Sequence, residues 1–121
     1  AARAALGSGG GPVIWWASPV ECVSALERRR RMGQLKAEQR NHAERLLGQL
    51  AAVWAEVQPS QAVRERALRL LRSSDLRAAD ALQLAAALVW AEDQPSGRVF
   101  VCLDERLREA ARVSGFTVLP A

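Results

Sequence analysis

Leu76 to Trp90, LRAADALQLAAALVW, decides how the rest of the chain folds. From Ala78 onward the stretch is apolar on every side except at Asp80 and Gln83, and a helix of that composition lies inside a fold, not on it. Asp80 therefore needs a reason to be there. A carboxylate in the first helical turn is favoured by the positive end of the helix dipole. Buried carboxylates at the mouth of an α/β sheet also bind metal ions. The residues around Asp80 admit both explanations.

Working outward, the preceding segment reads as a helix that buries Val63, Ala67, Leu70 and Leu71 and turns Arg64, Arg66, Arg69 and Arg72 mostly to solvent, after a break and recap at Pro59 and Ser60. Ser73 to Asp75 make the turn into the central helix, and the loop Asp93 to Gly97 (DQPSG) follows it. Val99 to Leu103 (VFVCL) is then a buried strand running straight into Asp104. Asp104 to Val113 reads as a helix capped by that aspartate and closed by Gly115, with a short strand at Thr117 to Leu119.

Further upstream, a long amphipathic helix is expected from Lys36 to Val57, because Ala43, Leu46, Leu47, Leu50, Val53, Trp54 and Val57 recur at three and four residues. His42 lies beside that stripe without a metal-ligand partner at suitable spacing and reads as a surface residue. Val13 to Ala17 (VIWWA) is a continuous apolar run, the pattern of a strand buried on both faces, and core packing is expected for at least one of Trp15 and Trp16. Ser18, Pro19 and Glu21 then spell a capping box, opening a helix that ends in Arg28 to Arg31 and Gly33. AARAAL at the start looks like the tail of a helix.

Strands separated by helices imply an α/β fold with a central parallel sheet, right-handed crossovers and helices on both faces, a three-layer α/β/α arrangement in a single domain spanning 1–121. The 121 residues suffice for one core without staples. A net charge of +4 and a pI near 10.4 come almost wholly from arginine, Lys36 being the only lysine. Such a balance suits an anionic partner such as nucleic acid. Cys22 and Cys102 have neither metal-ligand spacing nor a disulfide framework and read as buried, reduced thiols of a cytoplasmic protein. No apolar run approaches a membrane span, so no membrane partner is expected.

In an open parallel sheet, ligands bind outside the carboxyl ends of the strands, where helix N-termini also point. Glu21, in the first turn after VIWWA, and Asp104, directly after VFVCL, both fall at that edge. If the central helix starts there too, Asp80 joins them. Three close anions repel one another, a shared cation relieves the repulsion, and oxygen-only ligation selects Mg²⁺ or Mn²⁺ over zinc. Such an ion supports phosphodiester hydrolysis. Each acid also has a structural role open to it: Glu21 as the capping partner of Ser18, Asp104 as an N-cap.

The segments SPVECVSALERR, LRAADALQLAAAL and VFVCLDERLREAARVSGFTVLP, in that order, resemble the PIN-domain ribonucleases, most closely the toxins of bacterial VapBC toxin-antitoxin pairs. The resemblance runs from Gly11 to the C-terminus. It implies a PIN-like domain whose acids bind Mg²⁺ or Mn²⁺ and cleave RNA of the tRNA or rRNA class. It further implies neutralisation by a cognate antitoxin, and a homodimer. Glu21, Asp80 and Asp104 carry over as catalytic and metal-binding residues, and Arg77 and Arg106 stand near enough to that edge to meet RNA phosphates. The family's first strand, ending in an aspartate, has no counterpart before VIWWA, so that strand and most of the first helix, roughly two dozen residues at ordinary element lengths, are expected to be missing. Without them the sheet would lose its middle strand.

Two further readings follow from the same residues. A PIN-like protein lacking the first aspartate would serve as a catalytically inactive RNA-binding or assembly module. A metal-dependent phosphohydrolase acting on small phosphate esters would use the same edge of a related sheet.

Overall fold

The computed structural model describes residues 4–6 and 11–121. Within them the order is β1 (Ala4–Leu6), β2 (Pro12–Trp15), α1 (Ser18–Arg31), α2 (Ala37–Ala51), β3 (Ala55–Val57), α3 (Gln61–Ser73), α4 (Ala78–Trp90), β4 (Val99–Val101), α5 (Glu105–Ser114) and β5 (Thr117–Leu119). The architecture is mixed α/β.

The strands form one five-stranded sheet in the order β3-β2-β1-β4-β5. The outer pairs, β2 with β3 and β4 with β5, are parallel, as alternation of strands and helices implies. β1 runs antiparallel to both its neighbours, with Ala5 opposite Val13 on one side and Phe100 on the other. The other four strands therefore share one direction, and their carboxyl ends share one edge.

Two elements differ from the sequence expectation. Ala4–Leu6 is a strand and not a helix tail, and it sits where the sheet was expected to have a gap. Alanine, arginine and leucine favour helix locally, but β2 and β4 each offer a row of backbone donors and acceptors that an extended segment satisfies. Residues 1–3, the start of that expected helix tail, lie outside the described residues. The helix expected to reach Val57 stops at Ala51, and Ala55–Val57 pairs with β2, the Trp16 amide donating to the Val57 carbonyl at 3.0 Å. Val53, Trp54 and Val57 continue the helical spacing, but only Val57 of the three lies in β3, whose Ala55 and Glu56 are poor strand formers, so the open edge of β2 decides the matter.

α4 is the organising element, as its composition demands. Ala81, Leu84, Ala85, Ala86, Ala87 and Leu88 are all buried, and α4 packs mainly on α3 and also on β2, β3 and α5. Burial of a leucine such as Leu84 or Leu88 stabilises by about 1.5–3 kcal/mol each, whereas the alanines contribute mainly by letting the backbones approach. Phe100 of β4 meets Phe116 at a ring-centroid distance of 5.6 Å. α3 opens as expected, the Ser60 hydroxyl accepting from the Val63 amide at 3.2 Å. Of the paired tryptophans, Trp15 enters the core and Trp16 stays half exposed. His42 is on the surface. Cys102 is buried, whereas Cys22 is only partly so. Among the described residues no helix is long and apolar enough to cross a membrane.

Candidate functional site

The start of α1 is set by Ala17 and not by Ser18. Ala17 is the N-cap residue, its carbonyl accepting from the Glu21 amide at 3.2 Å, and Ser18 is already helical. The expected capping box is therefore not formed. A serine inside the first turn has its side chain turned away from the N3 amide, and the Ser18 hydroxyl is buried with no hydrogen-bond partner among the described residues. Glu21, released from that role, reaches instead to α4, where its Oε1 accepts from Gln83 Nε2 at 2.8 Å.

Asp104 does cap α5, Oδ1 accepting from the Leu107 amide at 3.0 Å. Its position is fixed from below by Arg108, nine-tenths buried, whose guanidinium donates to the Cys102 carbonyl at 2.8 Å and the Pro120 carbonyl at 2.6 Å. The end of β4 and the chain's last residues are thereby tied to α5 at the point where Asp104 emerges. Asp80 lies in the first turn of α4, whose N-cap is Arg77.

These three acids share a cavity of about 600 Å³. Ser18, Glu21 and Arg28 line it from α1, Arg77, Asp80 and Gln83 from α4 and the turn before it, and Asp104, Glu105 and Arg106 from the start of α5. All three acids thus line one cavity at the carboxyl edge, and both candidate arginines, Arg77 and Arg106, lie on its wall. Arg106 is largely exposed and stands 3.7 Å from Asp75. The sequence reading missed two contributors. Gln83, three residues beyond Asp80 on the same face of α4, stands out in the sequence only as a polar exception, and Glu105 adjoins Asp104.

Oxygen donors from three segments around one cavity are the donor set that a hard divalent cation uses. Among the described residues no three His, Cys, Asp or Glu side chains come together as a ready-made cage for one ion. Mg²⁺ does not require one, because it usually keeps several waters and takes only one or two carboxylates directly. In that mode the ligands would come from the acids of the cavity wall.

Electrostatic pairing elsewhere on α1 is of a different kind. Glu27 is gripped by Arg30, at 2.9 Å, and by Arg40 of α2, and these hydrogen bonds hold its carboxyl below the ordinary 4.5. Arg40 also pairs with Glu44.

Beside the acidic cavity runs an apolar groove of about 210 Å³ between α1 and α2, lined by Leu26, Leu46, Leu47 and Leu50. Cys22 and Ala25 belong to both. Compared with known proteins, the chain matches no family profile, no curated protein and no solved structure.

Proposed function

We propose that the chain is a metal-dependent endoribonuclease, a toxin of the PIN-domain kind with its three-layer α/β/α arrangement, that cleaves RNA of the tRNA or rRNA class and is neutralised by a cognate antitoxin. The observation that carries the proposal is the meeting of Glu21, Asp80 and Asp104, from three separate segments, in one arginine-flanked cavity at the carboxyl edge of the sheet. Glu21, Asp80 and Asp104 would hold Mg²⁺ or Mn²⁺. When bound, the ion supplies an activated water and neutralises charge on the phosphate. The chain's own contribution is placement. Asp104 is held by its cap bond and by the Arg108 clamp, and Glu21 by Gln83. Arg28, Arg77 and Arg106 line the same cavity and would meet the RNA backbone, fixing its register without reading its bases.

The antitoxin on this reading lays an apolar segment in the α1-α2 groove and an arginine among the carboxylates, a route supported by the shared lining of Cys22 and Ala25. A homodimer in the cytoplasm belongs to the same reading. A second reading, an inactive PIN-like RNA-binding module, is favoured by the absence of a three-acid cage among the described residues.

Mn²⁺ titration by calorimetry, with cleavage of single-stranded RNA alongside, tests the proposal. Wild-type chain should bind and cleave, and Asp80→Asn should lose both with its unfolding midpoint little changed. RNA binding without Mn²⁺ binding or cleavage would establish the module instead.

A further inference from the structure

We infer that Gln83 is a positioning residue that orients the Glu21 carboxylate within the cavity while leaving its charge intact, an inference that rests on the cation-binding reading of the site. Gln83 is 6% exposed in the most apolar helix of the chain, where a carboxamide is tolerated only when hydrogen-bonded. Its bond to Glu21 is not local. Nε2 donates at 2.8 Å to Oε1 of a residue 62 positions earlier, joining α4 to α1 across the floor of the cavity.

The chemistry of the donor matters. All the basic residues but Lys36 are arginine, and the other partly buried acid of α1, Glu27, is held by two guanidinium groups. A guanidinium on Glu21 would orient it equally well but would also neutralise it and occupy the place of a cation. A carboxamide fixes the rotamer and adds no charge. Such neutral hydrogen bonds, one step removed from a metal, are how proteins orient ligating carboxylates. Gln83 also stands three residues after Asp80, so a single helical face presents one candidate ligand and the group that steadies another.

The test is a double-mutant cycle on the full chain with Mn²⁺ as the probe, using Gln83→Met, Glu21→Gln and the pair. Methionine keeps the unbranched shape and removes the donor. The expected result is a loss of Mn²⁺ affinity of about tenfold or more in Gln83→Met, with cooperative unfolding retained, and no further loss when Gln83→Met is added to Glu21→Gln. Losses that simply add would overturn the inference, because Gln83 would then act independently of Glu21.

A second readout needs neither a metal nor any change at position 83: the side-chain amide resonances of Gln83 in an ¹⁵N spectrum, compared between wild type and Glu21→Gln. A shift of those resonances is expected, and unchanged resonances would overturn the contact itself. Resonances that shift in a wild-type chain that binds no Mn²⁺ would overturn the positioning role through failure of the cation reading, leaving the bond as a packing feature.

Discussion

Replacing Ser18 with alanine separates two accounts of how α1 begins, because they differ in sign. If Ser18 capped the helix, Ser18→Ala would lose about 1 kcal/mol. In the structure the hydroxyl is 4% exposed at the residue level and has no partner among the described residues, while Ala17 occupies the cap. An unpaired buried polar group is unfavourable by about 1–3 kcal/mol, and alanine is a better helix former than serine by about 0.5 kcal/mol. Against this stands the loss of one atom's packing contacts, a few tenths of a kcal/mol. The net expectation is stabilisation by about 1–2 kcal/mol. For a domain of this size that raises the thermal midpoint by roughly 3–10 °C. Circular-dichroism melts and urea titrations of wild type and Ser18→Ala measure it directly. A lowered midpoint with unchanged cooperativity would refute the reasoning and return the capping role to Ser18. Mn²⁺ affinity should be the same in both proteins.

Glu27→Gln should destabilise the α1-α2 hairpin in a pH-dependent way. Because the folded carboxyl titrates below its ordinary 4.5, its contribution is fully present above that value and is lost as pH falls through the lower folded value. Stability measured from pH 7 down to pH 3 should therefore show the two proteins converging below about pH 4.5, and parallel curves would mean the Arg30 and Arg40 bonds do not form in solution. Gly115→Ala should lose about 1–3 kcal/mol in urea unfolding, since Gly115 closes α5 at φ 112° and an added Cβ would meet Pro95 at 3.0 Å. An unchanged unfolding midpoint would show that the β5 entry relaxes freely.

The sequence was readable where local chemistry and tertiary context agree. α4 declared its burial by composition, Ser60 and Asp104 formed the caps their residue types promise, and Gly115 terminated α5 in the left-handed region. Where a segment's fate depends on a partner far away, local signals misled. β3 continues a helical repeat and is a strand because β2 has an open edge, and β1 is built from helix formers yet lies between two strands. Ser18 and Glu21 spell a capping box, but Gln83 draws the Glu21 side chain across the cavity, and no pattern within α1 announces a partner 62 residues away. The acids themselves were legible because position after a strand or at a helix start requires no knowledge of tertiary contacts. Gln83 was legible only as an anomaly.

A carboxylate at a helix start has an explanation in the helix dipole, and Glu21, Asp80 and Asp104 all sit in such places. That accounts for why each is tolerated, but it does not account for their meeting. A dipole is served equally by any helix start. α3 has no acid in its first turn and relies on the Ser60 hydroxyl, and the first-turn acid of α2, Glu38, is exposed and takes no part in the cavity. Glu21 and Asp80 sit in the first turns of helices that open on the cavity, and at the third opening, α5, Asp104 and Glu105 stand side by side. Capping alone would need one of that pair. The sheet's geometry produces this selectivity: β2 and β4 run the same way, so the helices that follow them start at one edge, and β1, running the other way between them, brings its first residue, Ala4, opposite Val101 at the cavity end. Among the described residues, the charges that line the cavity come from these helices and from the residues that cap them.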